Sequence, residues 1–132
     1  MEVRTQADVA EGVRTALAVY TQALDDGRTD DVVATFCPDG SVEMPGEGRF
    51  EGQADLRATY ERWKPVGPQR HLVLNTVVTE WDTDVARATS DFVFVFSRGG
   101  KWSVELVGRY HDVLHRDGDA WRFHSRVAEF VT

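Results

Sequence analysis

The sequence predicts an α+β domain: a cone-shaped, strongly bent antiparallel sheet wrapped around N-terminal helices, with an internal cavity. Three observations carry this reading. Apolar residues recur at helical spacing through the first half of the chain. Four long β-rich runs then follow one another with only short, turn-forming breaks between them. Seven Phe, four Trp and three Tyr in 132 residues are enough to fill a wide interior or to line an apolar cavity.

The elements follow in order. The first helix runs from about Ala7 to Asp26. Thr5 and Asp8 have the spacing of an N-cap and its third-position partner. Val9, Val13, Leu17, Tyr20 and Leu24 step by four, four, three and four along one face. Gly27 is a left-handed stop. A short second helix starts near Thr29 or Asp30 and carries Val32, Val33 and Phe36 into Cys37-Pro38. Asp39-Gly40 marks a turn, and Ser41–Met44 and Arg49–Glu51 read as short strands around Pro45-Gly46. A third helix follows Gly52 with Leu56, Tyr60 and Trp63 on one side, and Pro65, Gly67 and Pro68 end it. The β-rich runs are Arg70–Trp81, Val85–Ser97, Lys101–Arg116 and Ala120–Val131. Their breaks, Asp82-Thr83-Asp84, Arg98-Gly99-Gly100 and Asp117-Gly118-Asp119, pair consecutive strands as antiparallel hairpins.

Length and charge bound the function. At about 150 residues per domain, residues 1–132 form one domain. Fifteen Lys plus Arg against 22 Asp plus Glu give a net charge of −7. That balance argues against nucleic acid, whose binding needs a basic stripe, and against anionic membrane surfaces. Cys37 is the sole cysteine, so neither an internal disulfide nor a cysteine-based zinc cluster is expected. Met1 to Gln6 holds no apolar signal region and no run approaches a membrane span, so the expected location is the cytoplasm.

The segments Leu24-Asp25-Asp26-Gly27-Arg28-Thr29-Asp30-Asp31, Phe36-Cys37-Pro38-Asp39-Gly40 and Glu51-Gly52-Gln53-Ala54-Asp55-Leu56 form one ordered series. Arg70-His71-Leu72-Val73-Leu74-Asn75, Gly108-Arg109-Tyr110-His111-Asp112 and Gly118-Asp119-Ala120-Trp121-Arg122-Phe123 with Arg126 continue it. Taken in order, they resemble the SnoaL-like branch of the nuclear transport factor two-like superfamily. Within that fold the arrangement is similar to scytalone dehydratase and bile-acid dehydratase. The resemblance implies an acid at the end of the first helix, Asp25, and a histidine early in the first long strand, His71. Tyr20 matches a tyrosine of the bile-acid enzyme and Arg126 its late arginine. The second histidine of scytalone dehydratase is missing from Asp91-Phe92-Val93-Phe94-Val95-Phe96, and its tyrosine beside the acid is Leu24 here. The bile-acid-like arrangement is therefore the nearer one.

The residues add their own constraints. His71, Val73, Asn75 and Val77 alternate with Leu72, Leu74, Thr76 and Val78. Both faces are largely apolar, which predicts a central strand covered on both sides. Asp25 and Asp26 sit at the negative end of a helix and need compensation, which an imidazole supplies. On an ideal helix Tyr20 and Asp25 stand roughly 140° apart, and Asp26 is the alternative acid if the frame is off by one. His111 and His115 are too far apart on a strand, at about 13 Å, to share one ion. No nucleophile elbow and no phosphate-binding glycine loop exists. The expected site therefore has His71, Asp25 and Tyr20 as catalytic residues. Asn75, Tyr60, Trp63, Phe92, Tyr110 and Arg126 are expected to bind substrate, and neither a metal nor another cofactor is expected.

These readings converge on a dehydratase or isomerase, a lyase- or isomerase-type enzyme acting on a small apolar, carbonyl-containing molecule of steroid- or polyketide-like character. His71 would move the proton and Tyr20, with Asn75, would stabilise the enolate. A non-catalytic module that binds a small ligand or a protein remains the other class, as does a structural subunit like that of ring-hydroxylating dioxygenases. Phe92, Phe94 and Phe96 share one strand face and Val93 and Val95 the other. A second copy is expected to cover the sheet, giving a homodimer or homotrimer.

Overall fold

The computed structural model describes residues 4–132; the N-terminal reading of Met1 to Val3 lies outside them. Helix α1 spans Gln6–Asp25, α2 Thr29–Ala34 and α3 Gln53–Arg62. The strands are β1 Phe36–Met44, β2 Gly48–Glu51, β3 Gln69–Trp81, β4 Val85–Arg98, β5 Lys101–Asp117 and β6 Ala120–Phe130. Among the described residues no helix is long and apolar enough to cross a membrane.

The ends of α1 are set by local chemistry. The Thr5 hydroxyl accepts from the Asp8 amide at 3.2 Å, and the Asp8 carboxylate accepts from the Thr5 amide at 2.9 Å. Two of the amides that a helix start leaves orphaned are thereby paired. At the other end Gly27 adopts φ +71°, and the Arg28 amide reaches back to the Ala23 carbonyl at 2.9 Å. This six-residue closure is the one a left-handed glycine permits. Between the two ends, Val9, Val13, Leu17, Tyr20 and Leu24 are all buried in one core cluster that α1 shares with the other helices and the sheet.

The six strands form one open sheet in the order β2-β1-β6-β5-β4-β3. The meander β3 to β6 is antiparallel throughout, with turns at the three expected breaks. The sheet is mixed rather than purely antiparallel, because β1 lies parallel to β6. Phe36 is a strand residue paired with Phe123, so the second helix stops before it, at Ala34. The register slips between Phe36 and Ser41, where Pro38 cannot donate a ladder hydrogen bond.

This topology corrects the placement of β3. It is an edge strand, because β1 joins the sheet at β6 and leaves β3 with a single neighbour. Its inner side meets α1, while Leu72, Leu74 and Val77 on its outer side are 48%, 41% and 54% exposed. Apolar residues on both faces reflect one covered face and one bare face, not a central position.

The alternation along β3 is broken as well. Asn75 takes a left-handed φ of +56° and the pairing with β4 shifts between Leu74 and Val77. The bulge turns Asn75 away from the His71 face, and its amide donates instead to Asp91 at 2.9 Å. Thr76 takes the inward place and shares a 3.0 Å hydrogen bond with Ser90. Edge bulges of this kind re-aim side chains and discourage pairing with other chains. Asn75→Val is expected to cost about 1–2 kcal/mol, the strain of a β-branched residue in the left-handed region. Asn75→Gly, which removes that strain and only an exposed hydrogen bond, is expected to cost less. Equal losses in denaturant unfolding would show that the backbone conformation is not what Asn75 supplies.

Candidate active site

The last residue of α1 and the start of β3 meet at one carboxylate. Asp25 Oδ1 lies 2.6 Å from His71 Nδ1, and it accepts the Gln69 side-chain amide at 3.1 Å. Asp25 Oδ2 accepts the backbone amide of His71 at 2.7 Å. An ionised carboxylate only accepts hydrogen bonds, so the short ring contact places the proton on His71 Nδ1. In the neutral imidazole Nε2 is then a free base, and among the described residues none hydrogen-bonds to it.

Burial pushes the Asp25 carboxyl up, but the hydrogen bonds from the His71 ring and backbone, the His71 charge and the Gln69 amide outweigh it. The carboxyl is held below its ordinary value. Asp25 supplies the pair and Asp26 does not: the Asp25 side chain is 3% exposed, whereas Asp26 is exposed and lies 3.5 Å from Arg28. The His71 ring packs on Phe94 at 4.7 Å between centroids, which fixes its plane from the sheet side.

The pair opens on a cleft of about 920 Å³ between α1 and β3. Arg14, Ala18, Thr21 and Asp25 form a stripe at i, i+4, i+7 and i+11 along its helical wall, with Gln22 beside them. Arg70, His71, Val73 and Asn75 are on the strand wall. Gln69, Arg14 and Phe94 were not foreseen. Gln69 stands two residues before His71, so strand alternation places it on the same face, and Arg14 follows from helical spacing to Asp25. Phe94 needed the β3–β4 register, in which it is the partner of His71.

The other expected site residues lie behind the cleft, in the core. The Tyr20 hydroxyl is 2.6 Å from that of Tyr60, and both residues are buried. Burial pushes both phenols up, so each stays protonated at neutral pH. Trp63 packs edge-on against Tyr60, and Phe92 stacks on Tyr110 at 4.2 Å. Arg126 has no exposed surface. Its guanidinium donates to both oxygens of Asp112 at 2.8 and 3.0 Å and lies over the rings of Tyr110, Tyr20 and Phe123. The structure thus brings His71 and Asp25 together, leaves Asn75 at the rim of the cleft with its side-chain amide turned to Asp91, and does not bring Tyr20, Tyr60, Trp63, Phe92, Tyr110 or Arg126 to its surface.

A family model described as a SnoaL-like domain matches residues 5–127. No curated protein matches the chain. Among solved structures, a protein of unknown function from Mycobacterium tuberculosis superposes with a TM-score of 0.86 at 23% identity, over 96% of this chain and 78% of that one. A protein from Catenulispora acidiphila gives a TM-score of 0.84 at 26% identity, over 95% and 93%. A proposed scytalone dehydratase from Novosphingobium aromaticivorans gives 0.81 at 17% identity, over 92% and 83%.

Asp25→Asn is expected to destabilise the fold by about 1–3 kcal/mol at neutral pH, because an amide must set its NH2 against one of three donors. The sign with pH follows from the depressed carboxyl. Its contribution is complete above the ordinary value of 3.8 and is lost as pH falls through the lower folded value. Denaturant unfolding across pH should therefore show a shallower acid loss in the variant. Equal stability and equal acid sensitivity would remove Asp25 as the tie between α1 and β3.

Proposed function

The chain belongs to the SnoaL-like domain family, a fold that hosts acid–base enzymes and binding modules alike. On that footing we propose that it is a cofactor-independent dehydratase or isomerase of a small apolar, carbonyl-containing molecule. The observation that carries the proposal is the Asp25–His71 pair, with the ring's second nitrogen unpaired beside an open cleft. The cleft volume is of the size that holds a small or medium ligand.

The chemistry is a proton transfer. His71 Nε2 takes a proton from the carbon α or vinylogous to the carbonyl, and the electron pair of that C–H bond becomes an enolate. Asp25 keeps Nδ1 as the donor side of the ring and stabilises the imidazolium that forms. The enolate oxygen needs donors from the cleft, and Arg14 and Gln22 are the groups α1 offers there. The imidazolium then returns its proton, to a departing hydroxyl in a dehydration or to another carbon in an isomerisation. Tyr20 and Arg126 act from behind, holding the wall of the site rather than touching substrate.

The filled interior favours a second reading. Tyr20, Tyr60, Tyr110 and Arg126 occupy the cone and the open cleft lies at its edge, which suits a module that binds there without chemistry. Turnover separates the two. With β-hydroxy carbonyl compounds, followed by ultraviolet absorbance of the conjugated product, His71→Ala is expected to lose at least about 10²-fold in rate with its fold intact. Full activity in that variant removes His71 from the mechanism. Absence of turnover across the class in the wild type, with ligand binding retained, establishes the second reading.

The same reading extends to assembly as a homodimer or homotrimer through the outer sheet face. Leu72, Leu74, Val104 and Val107 are 39–63% exposed there, with Val93 and Val95 between them in the pairing. Such a contiguous apolar surface is rarely left bare in a monomer. Sedimentation at micromolar concentration is expected to give a multiple of 14.9 kDa, and a clean monomer mass overturns it.

A further inference from the structure

A second cluster of chemistry-bearing side chains lies away from the cleft, on three adjacent strands. Phe36, Leu114 and Phe123 point into the core from β1, β5 and β6. The next residue on each strand is Cys37, His115 and His124. Strand alternation turns all three to the opposite face of the sheet. The Cys37 thiol and one ring nitrogen of each histidine lie within 4.8 Å of one another. The two imidazoles are parallel, 4.4 Å between centroids and 7° between planes.

Two features of this cluster lack an explanation in the fold alone. The Nδ1 atom of His124 is buried and, among the described residues, has no hydrogen-bond partner. Its nearest carboxylate, Asp39 Oδ1, stands 3.9 Å away, beyond hydrogen-bond reach. The Cys37 thiol is buried in the same place, with only a long 3.7 Å contact to the Arg122 carbonyl. A buried polar atom left unpaired is costly, and this one belongs to a ring grouped with a thiol and a second imidazole.

We propose that Cys37, His115 and His124 form a Zn²⁺ site on the outer face of the β1–β6–β5 segment. Thiolate and imidazole are the donors that Zn²⁺ prefers, at about 2.3 Å for sulfur and about 2.0–2.1 Å for nitrogen. A tetrahedron with those bond lengths puts its donors roughly 3.3–3.6 Å apart. The observed spread closes to that by rotation of the histidine rings, whose side chains are not locked into the core; that of His124 is 41% exposed. Asp39 stands beside the group rather than in it, 3.9 Å from His124 Nδ1, so solvent is left to complete the set. The bound ion ties β1 to β6 and β5 where the register slips between Phe36 and Ser41 and between Val113 and Leu114. The site shares no residue with the Asp25–His71 cleft and stands whether or not that cleft is catalytic.

The test uses the reduced full chain, stripped of metal and titrated with Co²⁺ as a spectroscopic substitute for Zn²⁺. One equivalent is expected to produce a near-ultraviolet thiolate-to-cobalt charge-transfer band and visible absorption of four-coordinate strength, both abolished by adding Zn²⁺. Zn²⁺ is also expected to raise the thermal unfolding midpoint. Cys37→Ser should lose the charge-transfer band, and His115→Gln and His124→Gln should each weaken Co²⁺ binding by at least about ten-fold. Circular dichroism checks that each variant folds. No charge-transfer band in the wild type, or a band that survives Cys37→Ser, overturns the site. Should Cys37→Ser fail to fold, unchanged Co²⁺ affinity in both histidine variants overturns it equally.

Discussion

The carboxylate of Asp25 is the point on which the arrangement of helix and edge strand depends. It sits at the negative end of α1, where no basic residue occupies the last turn. It is 3% exposed and needs positive partners. Three donors from two residues of β3 meet that need. The main-chain bond to His71 holds the strand at a set height along the helix, and the ring bond then follows. One charge thus docks the edge of the sheet, orients an imidazole and opens a cleft beside it. A free edge strand would otherwise have only apolar contacts to hold it against α1, and those are not directional.

Further in, a second ion pair organises the core by different means. Arg126 and Asp112 are cross-strand partners on β6 and β5, fully removed from water. Burial disfavours the charge on the arginine, and the facing carboxylate with its paired hydrogen bonds more than reverses that. Three aromatic faces surround the guanidinium and the Tyr20–Tyr60 hydroxyl pair lies beside them. Such a pair contributes little net stability, but removing either partner leaves an uncompensated charge. It therefore selects one packing of the interior, and that packing fills the cone and moves the open volume out to the edge.

The division between the two ion pairs explains the shape of the candidate site. A cleft walled by α1 on one side and an edge strand on the other is open to solvent and carries polar groups from both walls. The aromatics that suggested a cavity instead form its backing. Phe94 is the exception, since it holds the His71 ring from below. Across the sheet the outer face keeps its apolar residues exposed and the Cys37–His115–His124 cluster at the other end of the strand order. The two faces of one sheet thus present different chemistry.

Much of this was legible in the residues. The periodicity of Val9 to Leu24 located α1 and its buried face, Thr5 with Asp8 located its start, and Gly27 its end, because these are local properties of the backbone. The three turn-rich breaks delimited the meander for the same reason. Asp25 and His71 could be singled out from a resemblance and from the electrostatics of a helix end, although they are separated by 46 residues. What remained hidden was decided by non-local pairing. Nothing near Asn75 announces a bulge, since its left-handed backbone arises from the β3–β4 register. The parallel β1–β6 pair, which makes β3 an edge, joins segments from opposite ends of the chain. The seclusion of Tyr20 and Arg126 depends on Asp112 and Tyr60, and the meeting of Cys37 with His115 and His124 on three strands lying side by side. A sequence carries the period of each element, whereas which elements become neighbours is settled only when the whole chain buries its apolar surface at once.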